Sequence, residues 1–294
     1  MSKARELANL GNAYSDGALS NRNLLINSAM QVAQRGTSFT SNSYGLDHWY
    51  NAFGGSATVT QDTSDVPSNF KYAMKTTTTA ASSFATFYQP FEEIDYERFK
   101  GQTVTISFYI KVNSTFVGNM SIDMQSGDTA NTLLGGTWAA NDAKTITPTT
   151  TWQRYEVTLT VATSNGVRLN IGPSQAQASG AEYSFTGVQL EIGDSSTPFE
   201  HRSYGDQLQA CQRYYYDTLT DVYCTGYGTN PAGYAIAMVY PPVEMRTTAT
   251  VTSSGTNYGT GFSAGALSKA LIYLSCATNS TNAPRGRLYA DAEL

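Results

Sequence analysis

The 294-residue chain is poor in charge: only 14% of its residues are Asp, Glu, Lys or Arg. It carries no basic stripe, and its net charge is -5. Nucleic-acid binding needs a positive surface that displaces counterions, so that class is set aside. No apolar run approaches the roughly 20 residues that span a bilayer, and no membrane insertion is expected. The opening stretch MSKARELANLGNAYSDG has no apolar centre and does not read as a secretory signal. Cysteine is scarce and odd in number: Cys211, Cys224 and Cys276. That argues against a disulfide framework and for thiols, with Cys224–Cys276 as the one bridge worth weighing. Histidine is scarcer still, with only His48 and His201. A Ser–His–Asp site would need one of them, and neither stands beside a G-x-S-x-G turn.

Aromatic and hydroxyl residues fill the space that charge leaves. Aromatics make up 12%, with 20 Tyr. Thr and Tyr suit a pleated surface, and the helix formers do not dominate. Residues 1–22 read as an end piece with a short helix over Lys3 to Leu10, capped by Ser2 and stopped by Gly11. Strand patterns then follow at short intervals. A first, irregular strand is read around Met30 and Val32, and an aromatic one enters at Tyr44 to Tyr50. Alternation marks Ala57 to Gln61, Phe70 to Thr76, Phe84 to Phe91, Val117 to Met124, Trp152 to Val161, Val167 to Ile171 and Tyr183 to Ile192. The clearest pattern is TVTISFYIKV, Thr103 to Val112, with Val104, Ile106, Phe108 and Ile110 on one side. Thr105, Ser107, Tyr109 and Lys111 fall on the other side, read as solvent-facing. Asn165-Gly166 signals a hairpin. LLGGTWAAND is read as a Gly-rich loop displaying Trp138.

These signals predict an all-β chain: an antiparallel jelly-roll sandwich over residues 23–203, then a small β domain over 204–294. A helix capped by Asp206, with Gln209 three residues on, opens the second part. Its strands are read at Tyr214 to Thr220, Gly233 to Tyr240, Thr247 to Thr252, Gly261 to Ser263, Ala270 to Ala277 and Arg287 to Ala292. About 90 residues is little for an independent β core, so packing against copies of itself is expected.

Candidate chemistry follows from residue types. Glu92, Glu93, Asp95 and Glu97 crowd one helical turn and read as a solvated face, not as two acids across a cleft. Glu200 beside Arg202 reads as an ion pair. Asn27, Asp47 and Glu191 supply oxygens that suit a structural Ca²⁺, without a calcium-loop motif. Sugar binding needs flat rings beside amides and hydroxyls. Tyr88, Gln89, Tyr109 and Trp138 are the candidates, with Trp49 and Trp152 assigned to the core. The run Tyr214, Tyr215 and Tyr216 is divided evenly between core packing and a subunit interface.

The segments DHWY, TVTISFYIKV, TWQRYEVTLTV, GVQLEIG-x4-PFEHRSYGDQLQACQRYYY, VEMR and ADAEL resemble tail-fibre and related virion-surface proteins of tailed bacteriophages. The resemblance runs from about Asn23 to Leu294. It implies a jelly roll like a carbohydrate-binding module, followed by a β tip, in a homotrimer on the virion surface. It further implies docking to a virion protein through the N-terminal segment and binding of host cell-surface polysaccharide without catalysis. Two other roles are carried beside it: an architectural capsid fibre or decoration protein with no receptor, and a glycan depolymerase.

Overall fold

In the computed structural model, residues 3, 22–130, 136–224, 234–254, 263–277 and 285–293 are described. The expected helix over Lys3 to Leu10 therefore lies outside them, apart from Lys3. The chain divides into two compact units, Met1–Arg202 and Ser203–Leu294. No helix among the described residues is long and apolar enough to cross a membrane.

The first unit is an antiparallel sandwich. Its strands are β1 (Ser38–Phe39), β2 (Ser43–Tyr44), β3 (Tyr50–Gly54), β4 (Ala57–Asp62), β5 (Ala73–Thr78), β6 (Phe84–Pro90), β7 (Thr103–Val112), β8 (Met120–Gly127), β9 (Trp138–Ile146), β10 (Gln153–Thr160), β11 (Gly166–Pro173) and β12 (Glu182–Ile192). A single turn of helix, α1 (Glu93–Tyr96), falls between β6 and β7. One sheet has the order β1-β4-β5-β12-β7-β10, and the other β2-β3-β6-β11-β8-β9. This is the all-β jelly-roll sandwich that the alternation predicted.

The core forms where the apolar rows of the two sheets meet. From β7 come Val104, Ile106, Phe108 and Ile110; from the facing sheet come Phe87, Ile122, Met124, Leu169 and Ile171. Phe185 of β12 meets Phe87 edge-on at 5.1 Å and Trp49 at 6.0 Å, the offset geometry that aromatic quadrupoles favour. Trp49 is fully buried and donates its indole N–H to the Asn27 carbonyl. Trp152 is instead half-buried and donates to Asp65 at 2.9 Å, so it does not belong to the core.

Four sequence readings are corrected. The region around Met30 is a tight loop and not a strand. Asn27 and Met30 take left-handed backbone (φ 51° and 56°), and the Asn27 side chain closes the loop onto both backbone groups of Val32. Asn165-Gly166 does not make a hairpin, because β10 pairs with β7 while β11 pairs with β8 and β6. The turn passes from one sheet to the other, and Tyr96 Oη pins it at the Ala162 and Ser164 carbonyls. Trp138 begins a nine-residue strand rather than lying in a loop; β9 is a solvated edge, so it shows no apolar alternation to detect. Finally, Thr105 and Ser107 do not face solvent: they are 2% and 1% exposed.

Residues 193–202 cover them. This strap crosses the outer face of the first sheet and supplies partners to the polar side chains of β12 and β7 that it covers. Thr105 Oγ1 donates to the Gly193 carbonyl at 2.8 Å. Glu191 accepts from the Thr197 amide at 2.8 Å, the Thr197 hydroxyl at 2.6 Å and the Gln189 amide at 2.8 Å. Gln189 Oε1 takes the Glu200 N–H at 2.7 Å, and Glu200 takes the Asn23 N–H at 2.9 Å. Asn23, at the entry to the sandwich, is thereby tied to its end.

The second unit opens with α2 (Tyr204–Gln212). Its cap is Ser203, whose hydroxyl accepts from the Asp206 N–H, so Asp206 stands three residues inside the helix rather than at its cap. The strands are β13 (Tyr215–Asp217), β14 (Val222–Tyr223), β15 (Tyr234–Val239), β16 (Thr250–Ser254), β17 (Ser263–Ser268), β18 (Leu271–Ala277) and β19 (Arg285–Asp291). β13, β14 and β16 pair with β19, and β15-β18-β17 forms a three-stranded sheet. Among the described residues its core is small and rich in alanine, built on Met245, Ile272, Leu274 and Leu288 with Cys224 and four alanines. Cys211 and Cys224 are buried, and the side chain of Cys276 lies outside the described residues, as does Gly261.

The strap network yields a stability prediction. Glu191→Ala removes the acceptor of the Thr197 N–H and hydroxyl beneath the strap and one of the partners of the Gln189 amide, and should cost about 3 kcal/mol. All three tryptophans lie in the first unit, so urea unfolding followed by their fluorescence isolates the sandwich. An unchanged midpoint would show that the strap contributes nothing to holding the fold.

Candidate functional site: an aromatic face on the second sheet

The outer face of the second sheet carries a row of rings on neighbouring strands. Tyr44 of β2 stands opposite Tyr50 of β3, and Tyr50 opposite Tyr88 of β6. Because directly opposed residues point to the same side of a sheet, the pairing alone places all three on one face. Tyr44 and Tyr50 meet edge-on at 5.3 Å; Tyr50 and Tyr88 lie nearly parallel, 13° apart, at 6.3 Å. Beyond Tyr88 comes Arg168 of β11. Its guanidinium carbon sits 3.9 Å from the Tyr88 ring centre and 4.3 Å from that of Trp138, and this one cation joins the two rings.

Two glycines let the indole lie across the strands. A β-carbon added at Gly127, opposite Trp138 in the ladder, would come within 3.0 Å of the ring; at Gly166 the nearest indole atom would be at 3.5 Å. Trp138 therefore reaches from the edge strand back over β8 and β11.

Polar groups stand between the rings. Arg168 Nε donates to Gln125 at 2.8 Å. Asn170, opposite Tyr88 in one ladder and Asp123 in the other, donates to Asp123 at 2.6 Å. Asp123 is 3% exposed, and neither its second carboxylate oxygen nor the Asn170 carbonyl oxygen has a hydrogen-bond partner in the protein. Burial pushes the Asp123 carboxyl above the ordinary carboxylate range, against the Asn170 hydrogen bond and the Arg168 charge. Burial likewise draws Arg168 below its usual value, opposed by Tyr88 and Asp123. The face thus offers flat apolar surfaces beside the half-buried amides of Gln125 and Asn170, with the Arg168 guanidinium and the Asp123 carboxyl buried among them.

The structure separates the four sugar-contact candidates. Tyr88 and Trp138 come together around Arg168. Gln89 is 1% exposed, points inward and exchanges two hydrogen bonds with the Ile26 backbone, at 2.8 and 2.9 Å. Tyr109 lies on the other sheet. Tyr44, Tyr50, Arg168, Asp123 and Asn170 were missed. The one signal available for them was the alternation of Arg168 and Asn170 with apolar neighbours in VRLNI, which does not say which strands are adjacent.

The three oxygen donors considered for calcium do not form a cation site. Asp47 accepts from the Gln34 N–H and pairs with Arg35 at 3.5 Å, Asn27 is spent on Val32, and Glu191 on the strap. Among the described residues, no cluster of three or more His, Cys, Asp or Glu side chains could hold a metal. His48 is buried and His201 is exposed. Glu93, Asp95 and Glu97 face solvent around α1, and Glu200 pairs with Arg202 at 3.3 Å. In the second unit Tyr214 and Tyr215 are buried, while Tyr216 packs against its small core. Among the described residues, the large apolar side chains exposed there are Tyr204, Leu219, Tyr223, Ile236, Met238, Tyr240 and Leu267.

Comparison finds no matching family model and no matching curated protein. Among solved structures, the enzymatically active domain of bacteriophage CBA120 tailspike protein 4 is similar at 17% identity and a TM-score of 0.40, over 58% of this chain and 22% of that one. This chain therefore spans about a fifth of the tailspike's length. The xylan-binding CBM22-1 domain of Paenibacillus barcinonensis Xyn10C gives 16% and 0.36, over 59% and 96%. TmCBM61, solved with β-1,4-galactotriose, gives 13% and 0.36, over 59% and 100%. Likeness this distant transfers no ligand, residue or activity.

The buried carboxyl fixes a pH dependence. Asp123 holds its proton more tightly folded than unfolded, so its favourable contribution is complete below the unfolded value of 3.8 and is lost as pH rises through the raised folded value. Asp123→Asn removes that dependence. The melting temperature of the variant should gain on wild type as pH is raised from about 4 to about 7. A difference that stays flat with pH would rule out a raised Asp123.

Proposed function

We propose that the chain is a non-catalytic glycan-binding fibre protein of a bacteriophage particle, and that it binds host surface polysaccharide on the aromatic face. The observation that carries the reading is the row Tyr50, Tyr88, Arg168 and Trp138 on one open sheet face. Rings in line cover the apolar faces of successive sugar units, while the amides of Gln125 and Asn170 stand where hydroxyls would come. In this reading the chain assembles as a homotrimer on the virion surface, docked to a virion protein through residues 1–22. The apolar side chains Ile236, Met238, Tyr240 and Leu267 of the second unit support assembly, since its own core is small.

The test is calorimetric titration of the purified protein with polysaccharide isolated from the host surface, together with sedimentation. A trimer that binds saturably, with Tyr88→Ala and Trp138→Ala each weakening binding by about tenfold or more, is the expected outcome. A folded protein that binds no host polysaccharide would leave the architectural role as the better reading. Release of new reducing ends during the titration would replace binding by depolymerisation.

A further inference from the structure

A second cleft lies on the opposite sheet of the sandwich, away from the aromatic face. The strap covers one part of the first sheet and stops short of the rest, leaving a cavity of about 470 Å³ beside it. Asn69, Phe70, Tyr109, Arg154, Phe199 and His201 are among its lining residues. The sequence builds its floor through one glycine. Gly187 has left-handed backbone (φ 62°) at the point where β12 shifts register against β7. A β-carbon there would stand 2.4 Å from the Phe70 ring, so only glycine admits that ring. Phe70 is then the hub of a cluster, 5.3 Å from Tyr109, 5.0 Å from Phe199 and 5.3 Å from His201. Phe199 and His201 pack edge-on at 4.9 Å.

The rim is polar and uncommitted. The side chains of Asn69, Tyr109 and His201 make no hydrogen bond to another described residue. Arg154 is the opposite case. Its guanidinium bonds to Ser107, Ser196, the Thr197 carbonyl and Glu156, which makes it a fixed and charge-balanced wall. No carboxylate lines the cleft. Its volume falls within the roughly 300–1,000 Å³ of small-molecule sites. An aromatic floor calls for a ligand with a flat apolar side. An amide, a phenol and an imidazole at the rim call for an edge that both donates and accepts hydrogen bonds. A pyranose ring has both.

We propose that this cleft binds a single pyranose residue, as a site separate from the aromatic face. The volume and the enclosing strap suit one ring, whereas the aromatic face is open along its length. Two glycan sites on opposite sheets allow one chain to engage two polysaccharide strands, and the avidity gained does not require either site to be tight.

The chain's two histidines make the test direct. His48 is 2% exposed and His201 sits in the cleft, so the imidazole resonances distinguish a cleft event from a remote one. The full chain is titrated with methyl glycosides of a hexose, a 6-deoxyhexose, an N-acetylhexosamine and a hexuronate. The expected result is a saturable, millimolar shift of the His201 signals with at least one glycoside. It should be weakened about tenfold by Tyr109→Ala and unchanged by Trp138→Ala. Asn69→Ala, at an exposed loop position, provides a second variant that leaves the packed cluster intact and should also weaken the shift. His201 signals that stay put with all four glycosides, or that shift as fully in Tyr109→Ala and Asn69→Ala as in wild type, would overturn the proposal. Failure here leaves the aromatic face untouched, because that site is read through Trp138 and polysaccharide.

Discussion

The sandwich depends on how one central strand disposes of its polar residues. β12 runs between β5 and β7 and is buried from Tyr183 to Glu191. One side of it packs into the core through Tyr183, Phe185 and Leu190, while Gln189 and Glu191 turn outward. Those two would be costly if covered without partners and unremarkable if left in water. The strap resolves this by supplying a donor or acceptor at each position: the Thr197 amide and hydroxyl for Glu191, and the Glu200 N–H for Gln189. Asn23 joins the same network through Glu200 and through its own bonds to the Val188 carbonyl and the Leu190 amide. A polar network in a covered layer is specific because each member has one satisfactory geometry. It locks the entry to the sandwich, its central strand and its exit in one register.

The two outer faces acquire different characters from that arrangement. On the first sheet the strap occupies the surface, and what remains is a bounded cleft next to Phe70. On the second sheet nothing among the described residues plays the strap's part, and the face stays open between Tyr50 and Trp138. There the organising contact is Arg168 between two rings, with glycine at positions 127 and 166 to let the indole lie flat. A guanidinium so placed keeps its positive charge within an aromatic surface, and Asp123 beside it bears the desolvation as a raised carboxyl pKa. Groups held out of their preferred solvation state recur at binding sites, since a ligand can supply what water no longer does.

The second unit works with less. Among its described residues the core holds nine buried side chains, four of them alanine, while Ile236, Met238, Tyr240 and Leu267 remain on the surface. Apolar burial scales with area, so an alanine-rich core gives little stability of its own. Exposed chains of that size would add much if another surface covered them. Asp217, fully buried in its side chain, pairs with Arg287 across the β13–β19 ladder and fixes the register of the short strands.

Much of the fold was legible in the residue pattern. β7 was read over its full range because alternating Val, Ile and Phe against Thr, Ser and Tyr has period two, and period two follows from pleating alone. Tyr88 and Trp138 were recognisable as residue types that suit a sugar. Adjacency was not recognisable. Arg168 meets Tyr88 and Trp138 only because β11 lies between β6 and β8, and strand order is decided by which apolar faces bury each other across a hundred residues. The same nonlocal choice overrode the Asn-Gly turn, put Thr105 and Ser107 under the strap, and turned Gln89 inward toward Ile26. Local pattern determined where strands form and which side of each is apolar. Tertiary packing alone decided which outward faces stay open, and therefore where a ligand can bind.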